Sequence, residues 1–154
     1  MKRFLLLFLA TVVTAWSASA QLSVSQLRTE HLTDPVGIGE RRPLLSWEVS
    51  DASRRGVTQS AYEIRVKSGG RTVWRTGKVA SAESAGVFYD GTPLTSDTRY
   101  TWQVRVWDDR GKASAWSRPA FWRTGLFDVG EWQARWIEPA VSDDLAAMFR
   151  RTFR

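Results

Sequence analysis

The sequence contains no cysteine, and that absence alone removes several architectures. A disulfide scaffold and an inter-sheet disulfide are both excluded, so an exported form of this chain would have to draw its stability from an apolar core. Histidine is nearly missing too. His31 is the only one, and without thiolates a zinc site would need carboxylates for almost every ligand, so His31 reads as a structural residue near a strand end. No serine has a histidine at a spacing that suggests a hydrolase elbow. Thr76-Gly77-Lys78 is no phosphate loop, since glycine is missing five positions before its Gly-Lys and Val79 stands where Ser or Thr is needed. No cofactor is implied. Convincing helical periodicity is also lacking.

Long apolar runs are absent except at the start. Lys2 and Arg3 lead into an apolar stretch from Phe4 to Val13, and the segment closes on Ala18-Ser19-Ala20. That layout predicts a signal peptide over residues 1–20, cleaved after Ala20. The stretch is shorter than the roughly 20 residues needed to cross a bilayer, and no second one follows, so no membrane span is expected. With no cysteine near the cleavage point, a lipid anchor there is excluded. The expected destination is the periplasm or the outside of the cell.

Charge of one sign is not gathered anywhere along the chain. Removing the leader takes away two of the 22 basic residues and leaves 20 against 16 acids. Arg41-Arg42, Arg54-Arg55 and Arg150-Arg151 are scattered pairs, whereas a nucleic-acid binder shows a clustered footprint. Nucleic acid is therefore not an expected partner.

What the chain has in quantity is period-2 alternation. Tyr100, Trp102, Val104 and Val106 alternate with Thr101, Gln103 and Arg105, and Tyr62, Ile64 and Val66 with Glu63, Arg65 and Lys67. Ser68-Gly69-Gly70 supplies a tight turn into Val73-Trp74. Shorter apolar runs cover Leu22 to Glu30, Leu44 to Ser50, Gly86 to Tyr89 and Trp116 to Thr124, separated by turn signals such as Asp34-Pro35, Asp90-Gly91 and Asp108 to Gly111. About seven short strands over residues 22–126 predict an all-β, antiparallel β-sandwich of the fibronectin type III or immunoglobulin-like kind, with a closed barrel as the structural alternative. Leu94 and Tyr100 favour the sandwich, because a tyrosine opening that strand can bury its ring and bond its hydroxyl to upstream backbone, as in a tyrosine corner. Residues 127–154 are expected to form a linker and the start of a second β domain that is truncated in this sequence, since Trp132, Trp136, Ile137, Met148, Phe149 and Phe153 cannot bury one another within 28 residues.

A family resemblance rests on an ordered series. Pro43-Leu44-Leu45-Ser46-Trp47, Gln59-Ser60-Ala61-Tyr62, Trp74-Arg75-Thr76-Gly77-Lys78-Val79 and Tyr89-Asp90-Gly91 with Leu94 follow one another. Tyr100-Thr101-Trp102, Trp116-Ser117, Thr124-Gly125-Leu126 and Trp132-Gln133-Ala134-Arg135-Trp136-Ile137 continue it. The series resembles the N-terminal fibronectin-type module of bacterial α-L-rhamnosidases. That resemblance implies a large exoenzyme in which β-sandwiches flank an (α/α)6 barrel, and the barrel removes terminal α-L-rhamnose with inversion using a carboxylic acid and a carboxylate. No position of this chain matches those catalytic residues, so none is carried over.

The residues themselves offer no catalytic pair. Asp108-Asp109 and Asp143-Asp144 fall in a turn and a polar linker, where adjacent acids usually satisfy backbone amides. The tryptophans are the better functional candidates. Trp47, Trp74 and Trp102 are expected to fill the core, Trp107 breaks the parity of its strand, and the pleat must send one of Phe121 and Trp122 outward. Trp107, Trp122, Trp132 and Trp136 are the candidate sugar or interdomain contacts, with interdomain packing favoured. The expected role is architectural, within a secreted rhamnosidase-like enzyme whose neighbouring domains are the chief partners. An independent carbohydrate-binding module for rhamnose-containing glycans, or an adhesion module, is the alternative.

Overall fold

The structure, a computed structural model, describes residues 22–135, 137 and 148–152; the leader, Trp136 and the Asp143-Asp144 pair lie outside them. Among the described residues, eight strands build two sheets: β1 (Ser23–Thr29), β3 (Leu44–Ser50) and β6 (Val87–Phe88) in one, and β2 (Val36–Ile38), β8 (Ala120–Thr124), β7 (Arg99–Asp108), β4 (Gln59–Ser68) and β5 (Arg71–Arg75) in the other, in that spatial order. This is the sandwich and not the barrel. One pairing departs from the antiparallel expectation, because β2 runs parallel to β8, with Val36 opposite Arg123 and Ile38 opposite Thr124. Three residues were too short a run to register as a strand in the sequence.

β4 and β7 form the spine. Their long antiparallel register sets Tyr62 against Val106, Ile64 against Val104 and Val66 against Trp102, all buried. The turn from β4 to β5 is two glycines, Gly69 and Gly70, both at positive φ, the conformation that a type I′ hairpin requires. Between the sheets, Tyr100 stacks on Trp122 at 5.3 Å, and Tyr89 meets Trp122 edge-on at 5.9 Å and Trp74 at 5.1 Å. Trp47 meets Tyr62 edge-on and donates its indole N–H to Gln59 Oε1 at 3.0 Å. The buried Gln59 amide in turn donates to the carbonyls of Ser81 and Glu83, tying an irregular loop to the core.

The segment expected as a strand from Trp116 begins its regular pairing only at Ala120. Ahead of it the chain rides along β7 through serines. Ser114 and Ser117 accept the amides of Val106 and Val104 on their hydroxyls, at 3.0 and 3.1 Å, while their own N–H groups donate to the carbonyls of those same residues. A side-chain oxygen standing in for a backbone carbonyl keeps β7 satisfied without a ladder.

Candidate functional site

The acids come first, because glycoside hydrolysis needs two of them across a bound sugar. Asp108 is buried, and its Oδ1 accepts the amides of Arg110 at 3.0 Å and Lys112 at 2.7 Å, which is turn-building work. Asp109 pairs with Arg54, whose hydrogen bond holds the Asp109 carboxyl below its ordinary range. A general acid needs the opposite shift. A groove of about 580 Å³ runs between β1 and the Arg118–Ala120 segment, and its one carboxylate, Asp34, accepts the Phe121 amide at 2.8 Å. His31 sits exposed in the turn after β1 at positive φ, and no group of three His, Cys, Asp or Glu among the described residues is placed to hold a metal.

The tryptophans divide sharply. Trp122 is fully buried, so the sequence reading that offered it as a contact is corrected: the pleat turns Phe121 outward instead, where Arg99 lies over its ring at 3.7 Å. Sequence parity shows that one of the two must face solvent, but only the pairing of Tyr100 with Trp122 decides which. Trp107 does face outward, half-buried. Its ring is not bare, however, for Lys78 lies 4.8 Å and Arg105 5.0 Å from its centroid. Trp116 is flanked in the same way by Arg65 at 4.2 Å and Arg105 at 4.9 Å. The order Lys78, Trp107, Arg105, Trp116, Arg65 makes a ladder of alternating cations and rings over the five-stranded sheet. Each such contact contributes about 0.5–1 kcal/mol at an exposed site.

Beneath the ladder is an unforeseen group. Glu63 alternates with the apolar residues of β4, a parity that turns polar side chains toward solvent, yet its side chain is only 3% exposed. Arg75 and Arg105 each donate to it at 2.6–2.7 Å. Burial pushes the Glu63 carboxyl up, but the two guanidinium hydrogen bonds together outweigh that and hold it below its ordinary range.

Pairing gathers cations that are scattered in the sequence. β4 contributes Arg65 and Lys67, β7 Arg99 and Arg105, β5 Arg75 and β8 Arg123, all on the outward parity, with Lys78 beside them. Among the described residues, the acids paired with these cations are Glu63, already engaged, and Asp97, 2.7 Å from Arg123. No sequence window shows this, because the strands that meet are far apart along the chain.

Where the chain leaves the sandwich it is fastened down. A single 3₁₀ turn, Val129–Glu131, brings Glu131 Oε2 to the Ser96 hydroxyl at 2.5 Å and to the Phe127 and Asp128 amides at 3.1 and 3.3 Å. Arg41 covers the Phe127 ring at 4.6 Å and pairs with Asp128. Leu126, Val129 and Trp132 stand exposed along this segment, Val129 at 93% and Trp132 at 59%. Trp132 is thus available for contact, and Trp136 lies outside the described residues.

Residues 24–128 match the family model described as the Rha78A-like, N-terminal immunoglobulin domain. The chain belongs to this family. Among relatives of the Rha78A-like domain, an α-L-rhamnosidase of Streptomyces avermitilis is 44% identical over 121 residues, and one of Formosa agariphila is 39% identical over 113. The aligned parts cover 75% and 68% of this chain but 12% of each relative, so the chain spans about an eighth of their length. The crystal structure of the Streptomyces avermitilis α-L-rhamnosidase complexed with L-rhamnose superposes with a TM-score of 0.73 at 43% identity, covering 77% of this chain and 12% of that one. The α-L-rhamnosidase of Dictyoglumus thermophilum gives 0.70 at 33%, covering 75% and 14%. The resemblance seen in the sequence is therefore a family membership. The Rha78A-like match runs from β1 through β8 and ends at Asp128, just before the 3₁₀ turn.

Proposed function

We propose that the chain is a non-catalytic bracing module of a secreted α-L-rhamnosidase, holding neighbouring domains of the parent enzyme in a fixed orientation. The observation that carries this reading is the fastened exit. A linker that merely tethers two domains needs no fixed conformation, whereas Glu131, Ser96, Arg41 and Phe127 set the direction of departure and leave Leu126, Val129 and Trp132 bare beside it. Exposed apolar residues in a row mark an interaction surface. Membership in a domain family found in enzymes about eight times as long supports a next-door partner within the same polypeptide. The Lys2-Arg3 start, the Phe4–Val13 run and Ala18-Ser19-Ala20 support export. Hydrolysis of terminal α-L-rhamnose, by inversion, belongs in this reading to the parent enzyme and not to these residues.

Two measurements test it. The purified chain should not turn over an aryl α-L-rhamnoside; turnover that vanishes in an Asp108→Ala, Asp109→Ala variant would sink the proposal. In an α-L-rhamnosidase that carries this chain as its first domain, Val129→Ser with Trp132→Ser should lower the melting temperature of the catalytic part while leaving the sandwich unchanged. An unaltered melting profile would remove the bracing role.

A further inference from the structure

We propose that the outer face of the five-stranded sheet binds a carboxylate-bearing polysaccharide. The inference rests on the reading above, in that it supposes an exported carbohydrate-active enzyme, but it concerns a different surface from the exit segment. Seven cations stand on this face (Arg65, Lys67, Arg75, Lys78, Arg99, Arg105 and Arg123) against Glu63 and Asp97. Glu63 is covered by Arg75 and Arg105, so it offers little negative charge to solvent. The face is therefore a cationic plane several strands wide.

The ladder gives that plane its selectivity. A guanidinium lying flat on a ring is held in place while its N–H edges remain free to meet a planar carboxylate, and little side-chain entropy is left to lose on binding. Arg99 is held in this way by Phe121, while Arg65, over Trp116, spends part of its fork on Gln103 Oε1 and Arg105 spends part of its own on Glu63. The same arrangement disfavours a neutral sugar, because stacking on Trp107 or Trp116 would first have to displace a cation. It also disfavours permanent domain packing, since stable interfaces are depleted of lysine and apolar at their centres, while this face carries Lys67 and Lys78. The bare apolar row at the exit has the composition for packing. The broad face has the composition for a reversible polyanion ligand.

Retardation of the whole chain in native gels containing de-esterified polygalacturonate tests the proposal. Mobility should fall in low salt and recover as salt rises, and full methyl esterification of the polymer should abolish the shift. Lys67→Gln with Arg99→Gln should weaken retention at least fivefold, and Lys78→Gln alone about twofold, each with the far-UV circular dichroism of the native chain at the temperature of the gel, so that a folding defect in one variant cannot mimic the result. The proposal is overturned by no retardation in low salt, by equal retardation with the methyl ester, or by double-stranded DNA binding as tightly as the polygalacturonate, which would mark a surface that accepts any polyanion. None of these outcomes bears on the melting test of Val129 and Trp132, so each reading can fail alone.

Discussion

The backbone N–H of Thr95 donates to the hydroxyl of Tyr100 at 2.9 Å, and the Thr95 side chain lies 3.1 Å from the same oxygen. This is the tyrosine corner expected from Leu94 and Tyr100. It clamps the loop before β7 onto the strand, and Thr98 N–H and the Thr124 hydroxyl close the same loop from β8 at 2.9 Å. Tyr100→Phe keeps the ring on Trp122 but strands the Thr95 amide. The expected loss is about 1–3 kcal/mol in denaturant unfolding, with no change in far-UV circular dichroism of the native state.

Trp122 and Phe121 provide a test of parity. Trp122→Ala should cost about 3–5 kcal/mol, the usual loss for a large buried aromatic. Phe121→Ala removes the Arg99 contact and should cost about 1 kcal/mol. Equal losses in urea melts would show that the strand is turned over.

The spine of the fold was legible because its signals are local. Alternation along β7 places Tyr100, Trp102, Val104 and Val106 inward, and two successive glycines specify a hairpin by backbone conformation alone. What stayed hidden depends on partners distant in sequence. Trp122 is inward because it opposes Tyr100, β2 exists only as an edge for β8, and the Ser114 and Ser117 hydroxyls replace a ladder in a way no period reveals. Glu63 is the clearest case. Polar parity predicts exposure, and only two arginines from other strands make its burial tolerable.

Glu63 also predicts the acid limit of stability. Its folded-state carboxyl titrates below the ordinary value, so the unfolded chain takes up the proton first as pH falls. The stabilisation is complete above the ordinary glutamate range and is lost as pH drops through the folded value. Glu63→Gln should lower stability at neutral pH by about 1–3 kcal/mol and flatten this part of the acid limb in a pH series of thermal melts. A parallel displacement at every pH would contradict the assignment.

Gly91 is required for space and not for backbone freedom. A Cβ there would fall 2.5 Å from both Trp74 Cβ and the Tyr89 hydroxyl oxygen, and that hydroxyl donates to the Thr92 carbonyl at 2.8 Å. Gly91→Ala should destabilise by about 1–3 kcal/mol through overpacking, whereas Gly130→Ala, with nothing within 4 Å of its new atom, should be close to neutral. Thermal melting of the two variants side by side decides it.

The parallel pairing of β2 with β8 has a mechanical consequence. One of these strands lies near the point where the chain enters the sandwich and the other near the point where it leaves, and they point the same way. Tension applied between entry and exit therefore pulls them in opposite directions along their length, so that the Arg123 N–H to Pro35 carbonyl and Gly125 N–H to Ile38 carbonyl bonds, 2.9 and 2.8 Å, carry the load together instead of opening one after another. Pulled from its two ends, the sandwich would resist shear at this seam, and β2, only three residues long, would act as its tensile latch.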